Sequence, residues 1–158
     1  LVTISAMAEG RASDSIVLTD AAATEELGAR LAGVLAVGDC VALRGALGAG
    51  KTTLARGLIS AWAGQSEEAP SPTYTLVQTY EGPRGALWHL DLYRLRSPDD
   101  VDELGLEEAF SEALCVIEWP ERLGARLPAR RLDVSLALAD QGRVAHLAWW
   151  GQDRPIGV

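Results

Sequence analysis

Apolar and polar positions along this chain change their period several times, and each change predicts an element. Ser15-Ile16-Val17-Leu18 predicts a first strand. Asp20 then stands where a helix N-cap is expected, and Leu27, Leu31 and Val34 share one face of a helix predicted over 21–35. Val41-Ala42-Leu43, after the turn Val37-Gly38-Asp39, predicts a short buried strand. Beyond a glycine-rich stretch, Leu54, Leu58, Ile59 and Trp62 recur at helical spacing up to Gly64. The polar, proline-bearing segment 65–71 predicts a loop. Residues 74–80 alternate, Gly82-Pro83-Arg84-Gly85 is a turn, and 87–92 return as the second arm of a β-hairpin.

Ser97-Pro98 is a helix start and opens an acidic helix over 99–104, interrupted at Gly105. Leu114-Cys115-Val116-Ile117 is apolar throughout, as in a strand covered on both faces. A short helix follows Pro120. Residues 132–138 and 144–149 flank Asp140-Gln141-Gly142-Arg143 and predict a closing hairpin. Strands and helices interleaved in this way predict an α/β fold, a mixed central sheet flanked by helices. Residues 14–158 are expected to form that one domain, and 1–13, which include the only methionine, Met7, a poorly ordered extension.

Composition removes several functions. No run of 18 apolar residues predicts a membrane span, and the first ten residues lack the pattern of a secretory signal, so a cytoplasmic location is expected. Cys40 and Cys115 lie in strand-like apolar runs and read as buried free thiols, and with only His89 and His146 no zinc-ligand spacing exists. The net charge of −8 argues against direct binding of nucleic acid.

The chemistry concentrates around one residue. Of 14 basic side chains, Lys51 is the single lysine. It sits in Gly45-Ala46-Leu47-Gly48-Ala49-Gly50-Lys51-Thr52-Thr53, which has the spacing of a phosphate-binding loop. In such a loop, glycines allow backbone N–H groups to surround phosphate oxygens, and the next helix adds its positive end. Lys51 would reach the β- and γ-phosphates and Thr52 would face Mg²⁺. The plainer alternative is a glycine turn that merely contains Lys-Thr, and the strand before it and the helix after it argue against that.

A phosphate loop also needs a carboxylate at a neighbouring strand end. Asp91 follows Leu87-Trp88-His89-Leu90 and Glu118 follows Leu114-Cys115-Val116-Ile117. One is expected to take the metal and the other the water or a supporting role, and the pattern leaves the assignment open. Thr73, in Ser71-Pro72-Thr73-Tyr74-Thr75, is a candidate switch residue or simply a strand start. The acids Asp99, Asp100, Asp102, Glu103, Glu107 and Glu108 read as a solvated face rather than a metal site. With no lysine left for the Asn-Lys-x-Asp element of common GTPases, ATP is favoured over GTP.

Four separated strings, GALGAGKTT at 45–53, SPTYTLV at 71–77, HLDLYRL at 89–95 and VIEWP at 116–120, together resemble the TsaE (YjeE) family of small bacterial ATPases, over about 18–143. The resemblance implies a single P-loop NTPase domain using ATP and Mg²⁺ in formation of threonylcarbamoyladenosine at tRNA position 37. It implies that Gly48, Ala49, Gly50, Lys51, Thr52 and Thr53 cradle the phosphates and that Thr52 and Glu118 hold the metal. Asp91 would lie near the γ-phosphate, Thr73 would act as the switch, Trp119 would wall the site and Gly142 would border the adenosine. The implied partner is a TsaD–TsaB pair that performs the transfer and carries the tRNA, with ATP hydrolysis here driving its turnover. Two other readings compete: a small-molecule kinase with a lid of Arg122, Arg126, Arg130 and Arg131, and a nucleotide-binding interaction module without turnover.

Overall fold

A computed structural model of the chain describes residues 2–8, 11–64 and 76–158. Its strands are β1 (Val2–Ala8), β2 (Arg11–Leu18), β3 (Cys40–Arg44), β4 (Val77–Gly82), β5 (Gly85–Asp91), β6 (Ala113–Glu118), β7 (Arg131–Leu138) and β8 (Arg143–Trp150). Its α-helices are α1 (Ala21–Val34), α2 (Lys51–Ala63) and α3 (Leu106–Glu112), with 3₁₀ segments at Pro98–Leu104 and Pro120–Arg126. All the strands join one sheet in the order β1-β2-β8-β7-β3-β6-β5-β4. β3 runs parallel to β6 and β7, and β6 runs parallel to β5. Antiparallel pairs complete both flanks. The result is the expected mixed sheet between helical layers.

Strand periodicity sorts the side chains into those layers. Val41 and Leu43 of β3, Leu87 of β5, Leu114 and Val116 of β6 and Leu147 of β8 pack with Leu27, Leu31, Leu54 and Leu58 of α1 and α2. The alternate positions, Cys40, Leu90 and Ile117, face the other layer with Leu95, Val101, Leu106 and Leu123. Burying any one of these leucines contributes about 1.5–3 kcal/mol. The helices α1 and α2 touch backbone to backbone. A Cβ on Gly28 would lie 2.1 Å from the Leu54 carbonyl oxygen, and one on Gly57 would lie 2.0 Å from that of Glu25. Only glycine permits that approach, and it brings the start of α2 under the N-terminal end of α1.

Local signals account for most boundaries. Asp20 caps α1, accepting from the Ala23 N–H at 2.8 Å. Gly64, at φ +70°, ends α2. One expectation changes. The acidic segment at Pro98–Leu104 winds as a 3₁₀ helix, held by a capping box between Ser97 and Asp100, and Gly105 at φ +73° separates it from α3. For residues 1–13 a poorly ordered extension is expected from the sequence; of these, 2–8 are described as β1, which pairs along β2 from Val2↔Val17 to Ala8↔Arg11. The physical reason is the edge of β2, whose free N–H and C=O groups a further strand can satisfy. Both cysteines are buried free thiols, and burial pushes Cys115 up to about 12 and Cys40 higher still.

Candidate functional site

β3, β5 and β6 run in the same direction and end together. Register sets Leu43 beside Glu118 and Glu118 beside Asp91. Both acids therefore stand at one sheet edge on the α2 face, because they continue the alternation of Leu87 and of Leu114 and Val116. From β3 the chain passes through 45–50 directly into α2. Gly50, at φ +110°, is its N-cap and supplies no side-chain acceptor, which leaves the first-turn N–H groups and the positive helix end directed at the loop.

Lys51 is buried, 5 % exposed, and folds back over the loop. Its ammonium donates to the Gly45 carbonyl at 2.5 Å and to that of Ala46 at 3.0 Å, and lies 4.0 Å from the Trp119 ring centroid. Burial lowers its pKa, against an opposing pull from Glu118, Glu121 and Asp91. Trp119 adopts φ +59°, the one positive φ at a non-glycine among the described residues. Such a conformation costs on the order of 1–3 kcal/mol and is sustained only by its surroundings. It turns the chain sharply after β6 and sets the indole beside Lys51, with the Tyr93 ring 5.0 Å away.

The two carboxylates differ. Glu118 is 2 % exposed and held at both oxygens: Thr52 donates its hydroxyl to Oε1 at 2.9 Å, and Oε2 lies 2.7 Å from His89 Nε2. Asp91 is half-buried and accepts only the Tyr93 N–H, at 3.2 Å, among the described residues. Burial raises its pKa above the ordinary carboxylate value, and the charge of Glu118 adds to the rise.

A cavity of about 250 Å³ opens between the loop and these acids, lined by Gly48, Gly50, Lys51, Thr52 and Thr53 with Asp91, Glu118 and Trp119 on the opposite wall. A second cavity of about 250 Å³ shares Gly48, Gly50 and Thr53 and continues toward Asp20, Gly142 and Arg143. The two cavities thus meet along the loop. Ala49 is buried beneath the loop, and its carbonyl accepts from Arg143 Nε at 3.2 Å. Thr73 falls outside the described residues.

Three further residues of the site are given no role from the sequence, although His89 and Tyr93 lie within the string HLDLYRL. His89 stands two positions before Asp91, hence on the same face of β5, a relation that strand period alone could have exposed. Tyr93 lines the first cavity against Trp119. Arg143 donates to the carbonyls of Gly48 and Ala49 across 95 and 94 positions of sequence, which no local pattern reveals. Two of the four arginines that the competing kinase reading sets in a lid are engaged elsewhere. Arg131 begins β7, at the end of the sheet opposite the loop, and pairs with Asp133, while Arg126 is held by Asp99 and Asp102.

A glycine loop joining a parallel strand to a helix, with acids at the neighbouring strand ends, defines a single α/β domain of the P-loop NTPase-like fold. Residues 18–145 match the model of a family described as threonylcarbamoyl adenosine biosynthesis protein TsaE. The chain belongs to the TsaE family, and so to tRNA threonylcarbamoyladenosine biosynthesis. It is 41 % identical over 120 residues to the TsaE protein of Rickettsia bellii, covering 76 % of this chain and 83 % of that one. Against the TsaE protein of Treponema pallidum it is 44 % identical over 112 residues, covering 70 % and 82 %. The crystal structure of Bacillus subtilis YdiB superposes with a TM-score of 0.71 at 25 % identity, over 96 % of this chain and 89 % of that one. No helix among the described residues is long and apolar enough to cross a membrane.

Proposed function

We propose that this chain is the Mg²⁺-dependent ATPase of a tRNA-modifying assembly, in which ATP binding and hydrolysis drive repeated turnover of a TsaD–TsaB-like pair that performs threonylcarbamoyl transfer. One observation carries the reading: the Thr52 hydroxyl, at the start of α2, meets the Glu118 carboxylate across 2.9 Å, beside the chain's single lysine. That bond joins the two halves a phosphate site needs, the loop helix and an acidic strand end.

Thr52 and Glu118 are hard oxygen donors and suit Mg²⁺, and no group of three or more acidic, His or Cys side chains among the described residues forms a separate metal cage. They would hold the ion, which when bound neutralises charge on the β- and γ-phosphates. Lys51 would exchange the carbonyls of Gly45 and Ala46 for phosphate oxygens, a change in partner that keeps its charge satisfied. The N–H groups at the start of α2 would bind the same oxygens. Asp91, the less tethered acid, would orient the attacking water and accept its proton. Thr73 is the candidate for sensing the γ-phosphate, and Trp119 would exclude water over Lys51. Gly142 and Asp20 would border the nucleoside in the second cavity, and with no guanine-reading element the base is adenine.

The acidic surface argues that the tRNA is held by the partner, with this subunit docking on protein in the cytoplasm. The test is reconstitution of TsaD, TsaB, threonylcarbamoyl-adenylate and tRNA, with product measured beyond the first turnover. Addition of this chain with ATP should raise multiple-turnover yield, and Lys51→Ala should not. Unchanged yield at every ATP concentration would refute the reading. Phosphate released only with a small-molecule acceptor would indicate a kinase, and binding without any phosphate release an interaction module.

A further inference from the structure

His89 has no part in the mechanism above, yet its placement is costly. The imidazole is 2 % exposed within β5, and among the described residues its Nδ1 is buried with no hydrogen-bond partner. An apolar side chain would fill such a position without an orphaned ring nitrogen, so the ring must be held for its other nitrogen. Nε2 lies 2.7 Å from Glu118 Oε2. A carboxylate oxygen only accepts, so Nε2 carries the hydrogen and donates it, and Nδ1 is the bare nitrogen.

The Glu118 carboxylate is therefore clamped from two sides. Oε1 accepts from Thr52 and faces the loop, while Oε2 is turned back into the sheet toward β5. Divalent cations respond differently to that restriction. Ca²⁺ takes six to eight oxygens at about 2.3–2.6 Å and readily uses a carboxylate through both oxygens, whereas Mg²⁺ requires a tight octahedron and accepts one oxygen per carboxylate. A carboxylate that can present a single oxygen suits the smaller ion.

The geometry points to His89 as the residue that sets metal choice at this site: by engaging Glu118 Oε2 it limits the glutamate to one-oxygen coordination and favours Mg²⁺ over Ca²⁺. The inference rests on the reading of a metal–nucleotide site. His89 is a positioning residue, acting through Glu118. Replacing it by leucine releases Oε2, lets the carboxylate rotate toward the loop, and narrows the difference between the two ions. Glutamine, whose terminal amide N–H can replace the Nε2–H, retains the clamp, while the shorter asparagine does not reach.

The experiment is calorimetric binding of the non-hydrolysable analogue AMP-PNP to the full chain, in Mg²⁺ and separately in Ca²⁺, with melting temperatures recorded. The wild type should prefer Mg²⁺. His89→Leu and His89→Asn should reduce the Mg²⁺/Ca²⁺ affinity ratio about tenfold, or ~1.4 kcal/mol, and His89→Gln should restore it. A purely structural role would lower the melting temperature of all three and leave the ratio unchanged, which would overturn the inference. A wild type that binds AMP-PNP equally well in Mg²⁺ and Ca²⁺ would overturn it too. No binding of AMP-PNP with either ion would instead bring down the nucleotide-site reading itself. If His89→Leu does not fold, the Gln and Asn pair decides.

Discussion

Acidic side chains gather in two regions, at the ends of β5 and β6 and along the stretch from Asp99 to Glu112. The second region holds more of them, and the six whose sequence reading was a solvated face, Asp99, Asp100, Asp102, Glu103, Glu107 and Glu108, are all exposed. Asp99 and Asp102 pair at the surface with Arg126. The first region holds two, and each is withdrawn from water: Glu118 fully, gripped by Thr52 and His89, and Asp91 by half. The contrast teaches that density of charge does not make a site. Exposed carboxylates keep their hydration and have little to offer a cation that already has its own. Carboxylates at the ends of buried parallel strands are fixed in place, desolvated and set against a helix N-terminus.

Swapping charges between the two regions should therefore give unequal results. The largest expected effect is on hydrolysis. Asp91→Asn and Glu118→Gln should each slow phosphate release in the reconstituted assembly by about 10²–10⁴-fold, with melting temperature retained. Asp91→Asn with full activity would remove Asp91 from the role of base.

Next is Lys51→Ala. It deletes charge-assisted contacts worth about 2–3 kcal/mol to bound phosphates, so equilibrium titration with ATP should show affinity reduced by more than tenfold. Arg143→Ala should cost less, about 1 kcal/mol in ATP affinity. The loop loses the donors on the Gly48 and Ala49 carbonyls that hold their peptide planes. Affinity unchanged in calorimetry would show that the loop keeps its shape unaided.

Smaller still is the reactivity of the two thiols. Burial holds Cys115 near 12 and Cys40 above it, so almost no thiolate exists at pH 8 and disulfide reagents should label neither until the chain unfolds. Rapid labelling of the native protein would contradict the packing behind β3 and β6. The smallest expected effect is that of Asp99→Asn, Asp100→Asn and Glu103→Gln combined. Neither ATP affinity nor hydrolysis should change, apart from a modest response of melting temperature to the lost capping box.

The chain makes some of this legible and conceals the rest for physical reasons. An apolar run ending in an acid marks both Asp91 and Glu118, and glycine spacing marks the loop. That Asp91 and Glu118 are neighbours depends on the parallel register of β5 and β6, a contact that closes only after α3 has crossed between them. His89 is silent because a single histidine in an apolar strand reads as core until its partner is known. The resemblance names Trp119 as a wall of the site, but its conformation is silent: a bulky aromatic is the last residue one would place at positive φ, and its packing against Lys51, Tyr93 and the core around Leu123 sustains it there. The pairing of β1 with β2 likewise belongs to the sheet edge and not to the pattern of residues 2–8.

The most direct measurement is the magnesium dependence of ATP affinity, by calorimetry, in three proteins: the wild type, Glu118→Gln, and the triple variant Asp99→Asn, Asp100→Asn, Glu103→Gln. The wild type and the triple variant should bind ATP with the same steep response to magnesium. Glu118→Gln should fold and bind with that response largely lost. If Glu118→Gln keeps the response, or the triple variant loses it, the buried strand ends are not where the metal–nucleotide chemistry resides.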